Sequence, residues 1–149
     1  MTRVQSIKTL RNLADKHFSI YIRTRDADRY LEDNEGLSLL AGKCITCPKV
    51  EPIKFMDAGH FITKARCKPL KYDEYNANLQ CHNCNRFEYG QQYKHGKAII
   101  DKWGSEQLDR LQAIADDYKL ERNFKNWTKT ELREIIDLYK KKLKELDTQ

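Results

Sequence analysis

The sequence predicts an α+β fold, a small core of short strands and loops pinned by paired cysteines and flanked by helices at both ends. Three observations carry this. Four of the five cysteines form two pairs, Cys44-Ile45-Thr46-Cys47 and Cys81-His82-Asn83-Cys84. Between Leu37 and Thr63 short apolar runs are broken by Gly and Pro, a pattern of strands and turns. Apolar residues at helical spacing occupy the chain before and after that middle. At 149 residues a single domain is expected, with a helix within 1–36, the pinned core at 37–90 and helices over 91–149.

Taken in order, Val4, Ile7, Ala14, Phe18 and Tyr21 recur at helical spacing with no Pro or Gly between them. They predict a helix from about Val4 to Leu31 that stops near Asp33-Asn34-Glu35-Gly36. Extended segments follow at Leu37, Leu39 and Leu40, at Ile53 and Phe55, and at Phe61 and Ile62, punctuated by Gly42, Pro48, Pro52 and Gly59. Lys64 to Tyr75 lacks apolar periodicity and reads as a basic loop. Beyond the second cysteine pair Tyr93, Ile100 and Trp103 share a helical face, Gly104 is a stop, and Ser105 can cap a helix carrying Leu108, Leu111, Ala115 and Tyr118. Thr128-Lys129-Thr130-Glu131 is a capping box leading into Leu132, Ile135, Ile136, Tyr139, Leu143 and Leu146. That stripe reads as core, or as an interface for a homodimer through the C-terminal helices.

Two turns that each present a pair of thiolates can close a tetrahedral zinc shell, and four protein ligands leave no position open for chemistry. A Zn²⁺ held by Cys44, Cys47, Cys81 and Cys84 is therefore structural. Any activity must come from the segment Pro48–Gln80, which holds Asp57, His60 and Asn76, or from Asn85 just after the last ligand. The gap between the pairs exceeds usual zinc-ribbon spacing, leaving room for a hairpin and a loop. A disulfide framework would need an oxidising compartment, whereas Met1-Thr2-Arg3-Val4-Gln5-Ser6 leads into a charged amphipathic stretch and not an apolar signal segment, so a cytoplasmic location is expected. No run approaches membrane-spanning length. A thioredoxin-like redox site needs one pair, not two. Cys67 is read as a small buried thiol.

The formal net charge is +6 and the pI about 9.0. Four metal-bound thiolates and one Zn²⁺ bring the folded chain to about +4, because ligand thiols are deprotonated. That balance suggests a polyanion partner. Part of the excess, Lys140, Lys141, Lys142 and Lys144, falls on one C-terminal helix and reads as a solvated face. No GxGxxG or Walker-type loop is present, which argues against nucleotide-driven chemistry.

A phosphodiester-cleaving site needs a base to take a proton from water and a divalent ion kept open to substrate. His60 titrates near neutrality when unperturbed and suits the first task. Asp57 and Asn85 offer hard oxygens suited to Mg²⁺ or Mn²⁺. Asn76 could orient the loop around the histidine by bonding backbone groups.

The order Cys44-x-x-Cys47, Asp57-Ala58-Gly59-His60-Phe61, Asn76, Cys81-x-x-Cys84-Asn85 resembles the zinc-bearing HNH nucleases. It is closer still to the NinG/Rap family of lambdoid phages, recombination nucleases acting on branched DNA. The resemblance covers roughly Phe18 to Leu146; the family also carries a longer basic, cysteine-bearing N-terminal extension. It implies a ββα-metal core, His60 as general base, Asn76 as the residue that positions the base loop, Asn85 as a catalytic-metal ligand and the four paired cysteines as zinc ligands. It implies too a phage protein acting in the cytoplasm of a bacterial host on DNA such as a Holliday junction. One departure stands out: many HNH enzymes carry an Asp or His ligand immediately before the base, and here Gly59 stands there. Residues two apart on an extended segment share a face, so Asp57 is the expected replacement; otherwise His60 itself binds the metal and a water-linked group moves the proton.

Lys64, Arg66, Lys68, Lys71, Arg86, Lys94 and Lys97, with His95, are the candidates to grip phosphates. Two other functional classes compete with a nuclease. A non-catalytic zinc-stabilised nucleic-acid-binding module needs basic and stacking residues but no second ligand set. A protein-interaction zinc domain would use the Leu132–Leu146 stripe and leaves Asp57, His60 and Asn85 unexplained.

Overall fold

The computed structural model describes residues 3–121, 123–124 and 126–147; Met1, Thr2, Thr148 and Gln149 of the expected flanking segments lie outside them. Helix α1 spans Ile7–Asp26, capped by Ser6, whose hydroxyl accepts the Thr9 N–H at 3.1 Å. It buries Leu10, Ala14, Phe18, Tyr21 and Ile22, while Val4 and Ile7 are exposed. The helix ends well before the expected Leu31. Arg29–Glu32 instead forms β1, paired antiparallel with β2 (Ser38–Lys43), so that Tyr30 and Leu31 oppose Leu40 and Leu39. The Asp33–Gly36 segment is thus a hairpin turn and not a helix stop: Asp33 Oδ1 accepts the N–H groups of Glu35 and Leu37, and Gly36 takes φ 81°. Strand β3 (Val50–Pro52) completes this three-stranded sheet.

A second sheet consists of β4 (Met56–His60) and β5 (Ala77–Cys81), antiparallel from Met56 opposite Cys81 to His60 opposite Ala77. The basic loop between them is tied down by Cys67, Leu70 and Tyr72, all buried. After β5 a wide π-type turn, Asn83–Phe87, leads to α2 (Gln92–Trp103) and α3 (Ser105–Glu121). The buried face of α2 is His95, Gly96 and Ile99, not the expected Tyr93 and Ile100, which are exposed. Gly96 lies on that face, where a Cβ would make an ordinary contact with the Phe61 ring at 3.4 Å. Leu111 and Ala115 of α3 complete a cluster with Ile62, Cys67, Leu70 and Ile99.

Helix α4 (Lys129–Asp147) opens on the expected box, the Glu131 N–H donating to Thr128 Oγ1 at 3.2 Å and the Thr128 N–H to Glu131 Oε2 at 3.0 Å. Its Leu132, Ile136 and Tyr139 pack into the α1 core, so these members of the stripe are covered within the chain. The C-terminal end of α1 is clamped to the second sheet and to α2. Asp26 accepts from Arg25 at 2.8 Å, Lys102 at 2.8 Å and the Leu79 N–H at 2.9 Å. Burial acts to raise the Asp26 pKa, but Arg25 and Lys102 outweigh it and hold the carboxyl below its ordinary value.

Candidate metal centre and adjoining cleft

The turn after β2 presents Cys44 and Cys47; the end of β5 and the π-type turn present Cys81 and Cys84. Their four sulfurs lie within 4.8 Å of one another. The Cys47–Cys81 separation is 3.8 Å, and the edge of a tetrahedron with Zn–S near 2.3 Å is about 3.8 Å. No described cysteine is disulfide-bonded. Cys44 Sγ accepts the Thr46 N–H at 3.5 Å and the Cys81 N–H at 3.3 Å, bonding suited to a thiolate. Burial works to raise the Cys44 pKa, but the Thr46 and Cys81 bonds prevail and bring it to about 7. Four sulfur donors in this arrangement fit zinc. Cys67 lies outside the cradle, buried among apolar side chains that raise its pKa.

Beside the cradle opens a cleft of about 230 Å³ lined by Asp15, Asp57, His60, Lys71, Asn85 and Arg86, among others. His60 closes β4, with Nε2 2.8 Å from the Lys71 carbonyl. A carbonyl only accepts, so Nε2 carries the proton and Nδ1 holds the lone pair. Burial pushes the His60 pKa down, the Lys71 bond works against this and Lys64 adds to it, leaving about 4. The ring is neutral at pH 7. Asn76 is fully buried. Its Oδ1 accepts the Ile62 N–H at 2.8 Å, and its Nδ2 donates to the carbonyls of Ile62 at 2.9 Å and Leu70 at 3.2 Å. Those bonds staple the loop that supplies the Lys71 carbonyl.

Asp57 and Asn85 meet directly, Asn85 Nδ2 donating to Asp57 Oδ2 at 2.9 Å. Arg86, expected to grip phosphate, forks onto the same carboxylate at 2.9 and 3.0 Å, and His82 Nε2 lies 3.1 Å from Oδ1. Gly59 now has a cause. A Cβ there would sit 2.1 Å from Gln80 Oε1 and 2.9 Å from Gln80 Cβ, so a side chain at 59 would collide with Gln80 and not enter the cleft. Gln80 itself is held, its Nε2 donating to Thr46 Oγ1 at 3.0 Å and to the Gly90 carbonyl at 2.9 Å.

Of the remaining expected phosphate ligands, Lys64, Arg66, Lys68, Lys94 and Lys97 are exposed. Lys71 instead pairs with Asp15 at 2.9 Å, its side chain mostly covered. His95 is wholly interior, 3.1 Å from Asn78 Nδ2, so it cannot grip phosphate. Three site residues escaped the sequence reading. His82 stood in view inside the second cysteine pair. Asp15 is one of many charges on α1, and Tyr72, which donates to Asp15 at 2.6 Å, stood in a loop without pattern; neither gave a signal.

Fold and site together define a class: a small α+β protein built on a four-cysteine cradle able to hold zinc, with a polar cleft alongside. A sequence profile of the family described as Bacteriophage Lambda NinG protein matches residues 1–149, and the chain belongs to that family. Curated relatives include Protein ninG of Escherichia phage 933W, 29% identical over 133 residues, covering 89% of this chain and 56% of that protein. Protein ninG of Salmonella phage P22 is 29% identical and that of Escherichia phage lambda 28%, each over 89% of this chain and 55% of its own length. The chain thus spans little more than half the length of these relatives. No solved structure matches. No described helix is long and apolar enough to cross a membrane.

Proposed function

We propose that the chain is a metal-dependent HNH-type endonuclease that hydrolyses phosphodiester bonds in branched DNA such as four-way junctions, acting in the bacterial host cytoplasm. The observation that carries this is the meeting of His60, Asp57 and Asn85 in one cleft. They come from the end of one strand, its start, and the helical turn after the partner strand, with Asn76 bracing the long loop between. That order is the one expected of a ββα-metal unit. His60, neutral and with its lone pair on Nδ1, is suited to accept a proton from water.

Asp57 and the Asn85 Oδ1 would hold Mg²⁺ or Mn²⁺, hard oxygen donors fitting those ions. Four donors converge on the Asp57 carboxylate, which marks the place as one where positive charge is stabilised. Such an ion, when bound, supplies neutralisation of charge on the phosphate and leaving oxygen. Arg86, mostly exposed, can leave Asp57 for a backbone phosphate. The alternative of a non-catalytic zinc-stabilised nucleic-acid-binding module is favoured by one observation, that Asp57 is already saturated by Arg86, Asn85 and His82.

Cleavage of a four-way DNA junction across a Mg²⁺ and Mn²⁺ titration tests the proposal. His60→Ala should keep zinc content and junction binding while losing roughly 10²–10⁴-fold in rate. Because the His60 pKa lies at about 4, the base is deprotonated throughout the neutral range, and its acid limb should fall below pH 6. Wild-type protein that binds junctions and cuts nothing with either ion would select the binding module.

A further inference from the structure

We infer that Tyr89, flanked by Phe87 and Tyr93, forms a stacking platform for unpaired DNA bases beside the proposed scissile phosphate; the inference rests on reading the cleft as a nucleic-acid site. The segment after the second cysteine pair holds three aromatic rings in solvent, Phe87 74% exposed, Tyr89 91% and Tyr93 78%. Single exposed aromatics need no explanation, but three within one short stretch do. Arg86 precedes them and Lys94 and Lys97 follow them, and Glu88 is the one acid between Arg86 and Lys97. The Lys97 ammonium lies 5.6 Å from the Tyr93 ring centroid.

The Tyr89 ring is presented by backbone fixed from the interior. Tyr89, Gly90 and Gln91 take φ 53°, 76° and 51°, a left-handed run that Tyr and Gln seldom adopt. The Gly90 carbonyl is anchored by buried Gln80 at 2.9 Å. The exposed ring lines a second cleft of about 480 Å³, which shares His60, Asn85 and Arg86 with the first and adds Arg66. A strand with its phosphate at His60 that continues along this cleft passes Tyr89.

The chemistry of the patch selects the occupant. Bases in a duplex stack on one another and present no face, whereas bases left unpaired, as in the arms of a fork, do. An aromatic ring takes any base face, and the flanking cations hold the phosphates. The centre of a protein-binding surface is depleted of Lys, and here Lys94 and Lys97 follow directly on the last of the three aromatics.

The test is equilibrium binding with zinc retained and no Mg²⁺ or Mn²⁺ added, using a forked DNA with two unpaired arms and a matched duplex. A 2-aminopurine at the first unpaired position reports stacking. Tyr89→Ala should lose about tenfold in fork affinity, near the low end of what one stacked base contributes, with loss of the 2-aminopurine quenching and unchanged duplex binding. Tyr89→Phe should behave as wild type. Equal loss on fork and duplex, or no loss on either, overturns the platform. Cleavage, measured separately with Mg²⁺ or Mn²⁺ added, tells failure of the platform from failure of the nuclease reading. Quenching without cutting would sink the nuclease reading alone, and junction cutting with a neutral Tyr89→Ala would sink the platform alone.

Discussion

The cradle and the His60 side of the cleft sit at opposite ends of the β4–β5 hairpin and are held by different means. At the Met56–Cys81 end, two turns local in sequence bring four sulfurs within 4.8 Å, and backbone N–H groups already point at Cys44. At the His60–Ala77 end, the imidazole rests on a carbonyl from a long loop, which Asn76 staples and Asp15 of α1 reaches across to hold through Lys71 and Tyr72. The first is closed and suits an ion that stays. The second is open, and its carboxylate is covered by an exposed arginine that can move. The cradle gathers four like ligands from two tight turns, whereas His60 is oriented by one loop carbonyl braced by unlike side chains.

Removing the metal should break this contrast most completely. One zinc per chain is expected by elemental analysis. Chelation, or Cys81→Ser, should unfold the hairpin, because structural zinc contributes on the order of 10 kcal/mol that is folding free energy. Loss of amide dispersion in β4 and β5 would report it. A folded, zinc-free protein with these cysteines in disulfides would contradict the cradle.

The same contrast explains what the sequence revealed. Ligand type and spacing are themselves the geometry of the cradle, so Cys44, Cys47, Cys81 and Cys84 could be read directly. The capping box at Thr128–Glu131 was legible for the same reason. The end of α1 was not, because Tyr30 and Leu31 fit either a helix or a strand and only pairing with Leu39 and Leu40 decides. The inward face of α2 was missed because it contains a histidine and a glycine, which carry no apolar signal. In the cleft His60, Asp57 and Asn85, and behind it the buried Asn76, stood out by residue type. Asp15 did not, since a contact across 57 positions to Tyr72 leaves no periodic trace.

Asn76 tests the bracing of the loop. Asn76→Ala would leave the Ile62 N–H and the Ile62 and Leu70 carbonyls without their buried partner, costing about 3 kcal/mol in urea unfolding. Zinc content should be kept. A loss below about 0.5 kcal/mol would mean the loop does not depend on it.

Gly59 joins the two regions through Gln80. Gly59→Ala should cost about 2 kcal/mol by overpacking, and in a Gly59→Ala, Gln80→Ala double variant the two losses should be less than additive. Strict additivity would show that the side chain at 80 is not what requires glycine at 59.

The smallest effect on stability, and the sharpest test of the contrast, is expected at Asp15. Its side chain is one-third exposed and pairs with Lys71 at 2.9 Å, so the ion pair contributes within about 1 kcal/mol and Asp15→Asn should barely move the unfolding midpoint. Its role is positional: with the charge gone, Lys71 and Tyr72 are held less firmly, and the carbonyl that orients His60 is freer to shift. Under the proposed function kcat should fall about tenfold with KM unchanged, because small misplacements of a proton acceptor are costly. Asp15 also acts to raise the His60 pKa, so its neutralisation should move the imidazole titration, followed by NMR, to lower pH. A merely structural role would leave that titration in place. If Asp15→Asn unfolds the chain as Cys81→Ser does, or leaves both kcat and the His60 titration unchanged, the cleft is not held from α1.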